Sequence, residues 1–97
     1  MANKPYKQFM ITRDSFIRTF NYDVKEKDLE WHRDKKDRTI YVIYSGLGWK
    51  FQKDNELPQL TISNQSVFNI KANEYHRIIK GDDGPLILYI EEKNGNS

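Results

Sequence analysis

Two histidines are the only imidazoles in this chain of 97 residues. His32 stands in the stretch Trp31-His32-Arg33-Asp34. Leu29, Trp31 and Arg33 alternate there with Glu30, His32 and Asp34. A period of two predicts a strand that carries His32 and Asp34 on one face. His76 follows Ala72-Asn73-Glu74-Tyr75 and opens a second alternating run to Lys80. Two neutral imidazoles and one ionised carboxylate make a facial ligand set with open coordination positions. Such a set favours non-haem Fe(II), and Mn(II), Ni(II) or Zn(II) also suit it. The plainer alternative is two ordinary strand histidines, with Asp34 paired at the surface to Arg33, Arg38 or Lys35.

Arg38 is the candidate for holding an anionic ligand, because a guanidinium grips carboxylate or phosphate in a bidentate way. Its alternative is an ion pair with Asp34 or Asp37. Alternation puts Arg77 on the face opposite His76, away from such a pocket. Gln52 and Tyr41 are candidate polar groups of a substrate pocket. Tyr41, Trp49 and Phe51 are equally candidates for the core. Trp31 faces away from His32.

Composition removes several chemistries. There is no cysteine, which excludes disulfides, thiolate zinc sites and thiol catalysis. Gly46-x-Gly48 lacks the helix and Lys-Ser/Thr of a phosphate loop. No serine sits in a nucleophile elbow. Charged residues make up 31% of the chain, yet 16 basic and 14 acidic residues are mixed along it. Lys25 to Arg38 alternates in sign and reads as a solvated loop, so no nucleic-acid partner is expected. No apolar run approaches the roughly 20 residues of a membrane span. The first residues lack the apolar core of a signal peptide. A cytoplasmic protein with no membrane partner is the expectation.

The length predicts a single domain over residues 1–97, with 1–5 and 91–97 as loose ends. Tyr6 to Thr12 reads as a short strand. Thr12 to Phe20 has two readings. Ser15 could cap a short helical turn with Phe16, Ile17 and Phe20 on its apolar side, or the strand pattern could continue. Arg38 to Ser45 is β-branched and aromatic, hence a strand. Gly46-Leu47-Gly48 punctuates it, and Trp49 to Lys53 is expected as its hairpin partner. Pro58 belongs at an edge or a strand start, because it lacks the ladder N–H. Val67 to Ile70 and Leu86 to Ile90 complete the strands, with Gly81-Asp82-Asp83-Gly84-Pro85 as the turn before the last. Short strands separated by Gly, Pro and Asn turns predict an all-β sandwich or barrel.

From Leu29 to Ile90 the chain resembles a small single-domain cupin, a jelly-roll or double-stranded β-helix barrel. The first cupin motif carries His-x-His, an acidic residue and a closing glycine. Its counterpart here is His32-Arg33-Asp34, then Arg38-Thr39 and Gly46. The second motif, Pro-x-Gly-x-x-His, is matched by Lys71-Ala72-Asn73-Glu74-Tyr75-His76. Asp34 replaces a histidine, and Arg38-Thr39 stands where the glutamate would be. Asn73 replaces a glycine and tolerates the same left-handed backbone. The resemblance therefore implies three ligands, His32, Asp34 and His76, in place of four. His-x-Asp with a later histidine is also similar to the 2-oxoglutarate oxygenases. Those carry a basic residue after the second histidine, and none occurs from Gly81 to Glu92.

Three functions are compatible with these residues. One is a metal-dependent enzyme on a small molecule, dioxygenase-like or isomerase-like. The second is a non-catalytic small-ligand binder. The third is a structural dimerisation module. The resemblance also implies a homodimer paired through a sheet edge.

Overall fold

The computed structural model describes residues 5–25, 29–54 and 60–93. They form eight strands: β1 (Lys7–Thr12), β2 (Ser15–Phe20), β3 (Asp37–Leu47), β4 (Lys50–Lys53), β5 (Leu60–Thr61), β6 (Val67–Ile70), β7 (His76–Ile79) and β8 (Asp83–Lys93). All pairings are antiparallel. One sheet has the order β1-β2-β8-β3-β6 and the other β5-β4-β7. The described residues include no helix, and so none long and apolar enough to cross a membrane.

Alternation builds the core between the sheets. Ile40 and Val42 of β3 turn inward, while Tyr41 and Ile43 turn out. Leu86, Leu88 and Ile90 of β8 point inward beside them. Trp49, Phe51 and Ile62 close the core from the smaller sheet's side. On the outer face Tyr41 stands opposite Tyr89, with ring centroids 5.8 Å apart. Such cross-strand pairs add to sheet stability.

The short N-terminal helical turn is absent. Ser15 to Phe20 is instead the second strand of a hairpin with β1, closed by Arg13 and Asp14. The hydroxyls of Thr12 and Ser15 lie 2.6 Å apart across the turn, and the Asp14 N–H donates to Thr12 Oγ1. The reason is tertiary. As a strand, Ser15–Phe20 pairs residue for residue with Glu91 to Leu86 and satisfies an edge of β8 that a helical turn would leave open. That pairing holds Glu91, and β3 pairs with Glu92 and Lys93, so residues 91–93, expected to be loose, belong to β8; residues 94–97 lie outside the described residues.

Trp49 to Lys53 is not the hairpin partner of β3. Both edges of β3 are taken by β6 and β8, and Gly48, at φ 88°, turns the chain into the other sheet. There β4 lies between β5 and β7. Nor does the Gly81 to Pro85 segment remain a turn throughout, since β8 begins at Asp83. Leu47 pairs with Asp83 and Ser45 with Leu86, so Gly84 and Pro85 together oppose Gly46. This bulge gives the proline a place within the strand without breaking a regular ladder. A Cβ on Gly46 would run into the Asp83 carbonyl oxygen and the Gly84 backbone. Gly46→Ala is therefore expected to cost about 1–3 kcal/mol, read as a lower urea midpoint. An unchanged midpoint would mean that the bulge yields freely.

Candidate metal centre and adjoining cavity

The segment Leu29 to Asp34 meets β7 at one point only. His32 N donates to His76 O at 3.0 Å, and His76 N donates to His32 O at 2.9 Å. The expected strand is thus an extended segment with a single β-bridge. The predicted facing nonetheless holds. In an antiparallel pair, opposed residues share a face, so the two imidazoles stand together with ring centroids 4.2 Å apart. The flanking residues cross on the other face. Arg77 lies over the Trp31 ring at 4.8 Å, and Arg33 over the Tyr75 ring at 5.3 Å. These cation–π contacts, each worth about 0.5–1 kcal/mol at exposed sites, brace the bridge that aligns the histidines.

Asp34 reaches the same place through the turn before β7. Asn73 takes the left-handed backbone expected of it, at φ 65°, and its N–H donates to Asp34 O at 2.7 Å. The Ala72 N–H donates to Asp37 Oδ1, also at 2.7 Å. The turn is thereby tied to both ends of the Asp34–Asp37 segment. One donor atom from each of His32, Asp34 and His76 lies within 4.8 Å of the other two.

The protons in this cluster follow from its hydrogen bonds. His32 Nδ1 is 3.1 Å from Glu30 O, and His76 Nδ1 is 2.9 Å from Glu74 O. A carbonyl oxygen only accepts, so each ring carries its proton on Nδ1 and, when neutral, presents a lone pair at Nε2. Burial lowers the pKa of His32 and, with the neighbouring His76, outweighs the opposing pull of the Glu30 carbonyl. For Asp34 burial opposes ionisation, but the His76 ring and the Arg38 charge prevail and hold its carboxyl below the usual range.

Asp34 Oδ2 lies 3.2 Å from His76 Nε2 and 3.1 Å from Arg38 Nη1. Neither approach is aligned as a hydrogen bond, and Oδ2 is buried without a hydrogen-bond donor. With His76 neutral, a lone pair and a carboxylate oxygen face each other across this gap, and a shared cation would relieve both. Two donors bound about 2.1 Å from one ion at right angles lie about 3 Å apart. The Asp34–His76 pair therefore has the spacing of two ligands to a first-row divalent ion, with His32 in the same cluster.

Of the pair Arg38-Thr39, Arg38 faces inward. Its Nε donates to Glu92 Oε2 at 2.9 Å while Nη1 meets Asp34. Thr39 donates to Asn69 on the neighbouring strand. A cavity of about 330 Å³ adjoins the cluster. Phe20, Ile40, Phe51, Ile78, Leu88 and Ile90 give it apolar walls, and Arg18 and Arg38 give it charge. Tyr41 and Gln52 are not among its lining residues. Tyr41 is on the outer face of its sheet, by the same alternation that buries Ile40 and Val42. Gln52 is buried, and its Oε1 accepts from Nε and Nη2 of Arg77 at 3.0 and 2.9 Å. Arg77 also stands outside the lining. Arg18 was not singled out from the sequence. Its signal was the pattern Phe16-x-Arg18-x-Phe20, in which an arginine occupies an inward position between two buried aromatics.

No family model matches the chain, and no curated protein does either. Solved structures do match. A putative mannose-6-phosphate isomerase of Ralstonia eutropha JMP134 aligns with a TM-score of 0.65 at 9% identity, over 92% of this chain and 82% of that one. A cupin-2 domain protein of Shewanella frigidimarina NCIMB 400 aligns at 0.62 and 12%, over 91% and 79%. The chain has a small cupin fold. The cupin architecture also relates it to the DMSP lyase DddQ of Ruegeria pomeroyi DSS-3, with a TM-score of 0.75 at 7% identity. There the alignment covers 93% of this chain but only 47% of the lyase. At these identities the likeness concerns the fold alone, and the chain's chemistry must be argued from its own side chains.

Proposed function

We propose that this cupin holds one first-row divalent metal ion at His32, Asp34 and His76 and acts on a small anionic molecule bound in the adjoining cavity. The observation that carries the reading is the buried Asp34 Oδ2, which lies 3.2 Å from His76 Nε2 without an aligned hydrogen-bond donor, with His32 in the same cluster. Structures similar in fold include an Fe(II) form of HppE and DMSP lyases. Together with the His–Asp–His set the Fe(II) form favours Fe(II) as the ion, and a dioxygenase-like or isomerase-like reaction is the chemistry proposed for it. When bound, the ion would supply Lewis acidity or, as iron, redox chemistry.

The side chains have separate tasks. Glu30 and Glu74 orient the two rings through their carbonyls, so that Nε2 of each faces the site. Asp34 contributes negative charge, and Arg38, itself held by Glu92, fixes the carboxylate's position. The apolar walls keep bulk water from the ligand.

Metal-replete expression followed by native mass spectrometry tests the reading. About one iron-group ion per chain is expected. A chain that stays metal-free would remove the enzyme reading and leave the binding module. One observation favours that alternative: Arg38 already holds Asp34 by charge, which gives a metal-free cluster some cohesion. The same spectrum reports the proposed homodimer. Its support is β1, an edge strand whose six residues are all exposed, Phe9, Met10 and Ile11 among them.

A further inference from the structure

We propose that Arg18 is the residue by which the cavity recognises its ligand, and that the ligand is a small carboxylate with a short apolar body. The proposal rests on the cavity being the ligand site and deepens that reading by naming the substrate class.

Two arginines line the cavity, and they are not equivalent. Arg38 is engaged by two carboxylates, Asp34 through Nη1 and Glu92 through Nε. Its charge is committed to holding the cluster. Arg18 makes its Nε bond to a neutral partner, Gln8 Oε1, at 2.7 Å. Among the described residues no carboxylate lies within ion-pair distance of it, and no acceptor is bonded to its terminal nitrogens. Its guanidinium carbon packs 4.1 Å from the Tyr6 ring centroid and 4.9 Å from that of Phe16. These contacts and the Gln8 bond restrain its plane before any ligand arrives, which reduces the entropy cost of binding. Arg38 lies 5.6 Å from the centroid of the same Phe16 ring, so the two cations border one another. Burial and the neighbouring Arg38 lower the pKa of Arg18, and they outweigh the opposing pull of Tyr6, Asp34 and Glu92.

Arg18 is half-buried on the strand face it shares with the buried Phe16 and Phe20, so its charge is partly desolvated. One planar fork with free terminal nitrogens matches one carboxylate. A phosphate dianion would call for more donors, and Arg38 is committed elsewhere. The volume of about 330 Å³ is at the small end for ligand sites. Leu88, Ile90 and Ile40 beside it suit an apolar remainder.

The test uses the full chain, metal-free and again with Zn(II), and follows amide chemical shifts during titration with hexanoate, hexanamide and hexyl phosphate. The metal-free protein should bind hexanoate about tenfold more tightly than hexanamide, the scale of one charge-assisted bidentate contact. Arg18→Met should bring the two within about twofold, and Arg18→Lys should keep part of the preference. Arg13→Met, in the exposed turn between β1 and β2, should leave it intact. The proposal is overturned if Arg18→Met retains the full preference, if the wild type shows none, or if hexyl phosphate outcompetes hexanoate. Zn(II) affinity, read in parallel, should be unchanged in Arg18→Met. Failure of the wild type to take up Zn(II) would sink the metal reading, whereas the metal-free titration still decides the role of Arg18.

Discussion

His76→Gln is expected to reduce the affinity for the metal ion by more than about 100-fold, since removing even an outer partner of a metal ligand costs 10–100-fold. His76 is buried, its Nδ1 is bonded to Glu74 O, and its Nε2 faces Asp34 at 3.2 Å. Glutamine keeps most of the side-chain volume, so the loss reports ligation more than folding. His32→Gln should act in the same direction. His32 is the more exposed partner, and its substitution leaves the pair of Asp34 and His76 in place. Zn(II) or Fe(II) titration under anaerobic conditions provides the readout. Undiminished affinity in His76→Gln would place the ion elsewhere, and the cluster would then be an ion-pair network only.

Trp49→Ala should cause the largest loss of stability, about 3–5 kcal/mol. Trp49 has no exposed surface, and it joins the two sheets. Its ring centroid lies 6.3 Å from that of Phe20 on β2, and its Nε1 donates to Gly84 O at 3.0 Å in the β8 bulge. Gly81 leaves room for the indole, for a Cβ there would meet the ring. Truncation therefore opens a cavity and removes the indole donor from the partly buried Gly84 carbonyl at once. For a domain of this size the total stability is about 5–15 kcal/mol, so the substitution removes a large share of it. Urea unfolding measures the difference. Trp49→Phe separates the two contributions, because it fills much of the space yet cannot donate to Gly84 O. A loss below about 1 kcal/mol for Trp49→Ala would mean that the sheets are held together elsewhere.

Local pattern carried the strands that have a buried face. Ile40 and Val42 against Tyr41 and Ile43, and Leu86, Leu88 and Ile90 against Ile87 and Tyr89, repeat every second residue because one side of each strand meets the core. Partners were less legible. The link from β3 to β4 reads like a hairpin, yet Gly48 sends the chain to the other sheet, and nothing in Trp49 to Lys53 says which edge is open. Ser15 to Phe20 is compatible with a helical turn on its own. It becomes a strand because β8 offers six partners.

By itself the sequence determined the alternation that sets His32 beside Asp34, the left-handed turn at Asn73, and the absence of thiol chemistry. Each depends on a residue type or a two-residue period, which are local properties. Only the tertiary structure decided that His32 meets His76 backbone to backbone, that Arg38 and not Thr39 faces the cluster, and that Tyr41 and Gln52 stand apart from the cavity. It also decided that Arg18, from the segment whose reading was most open, lines the cavity. The reason is physical: a side chain's facing is set by its own strand's period, but what it faces depends on which distant strand closes the barrel, and that is a property of the whole core.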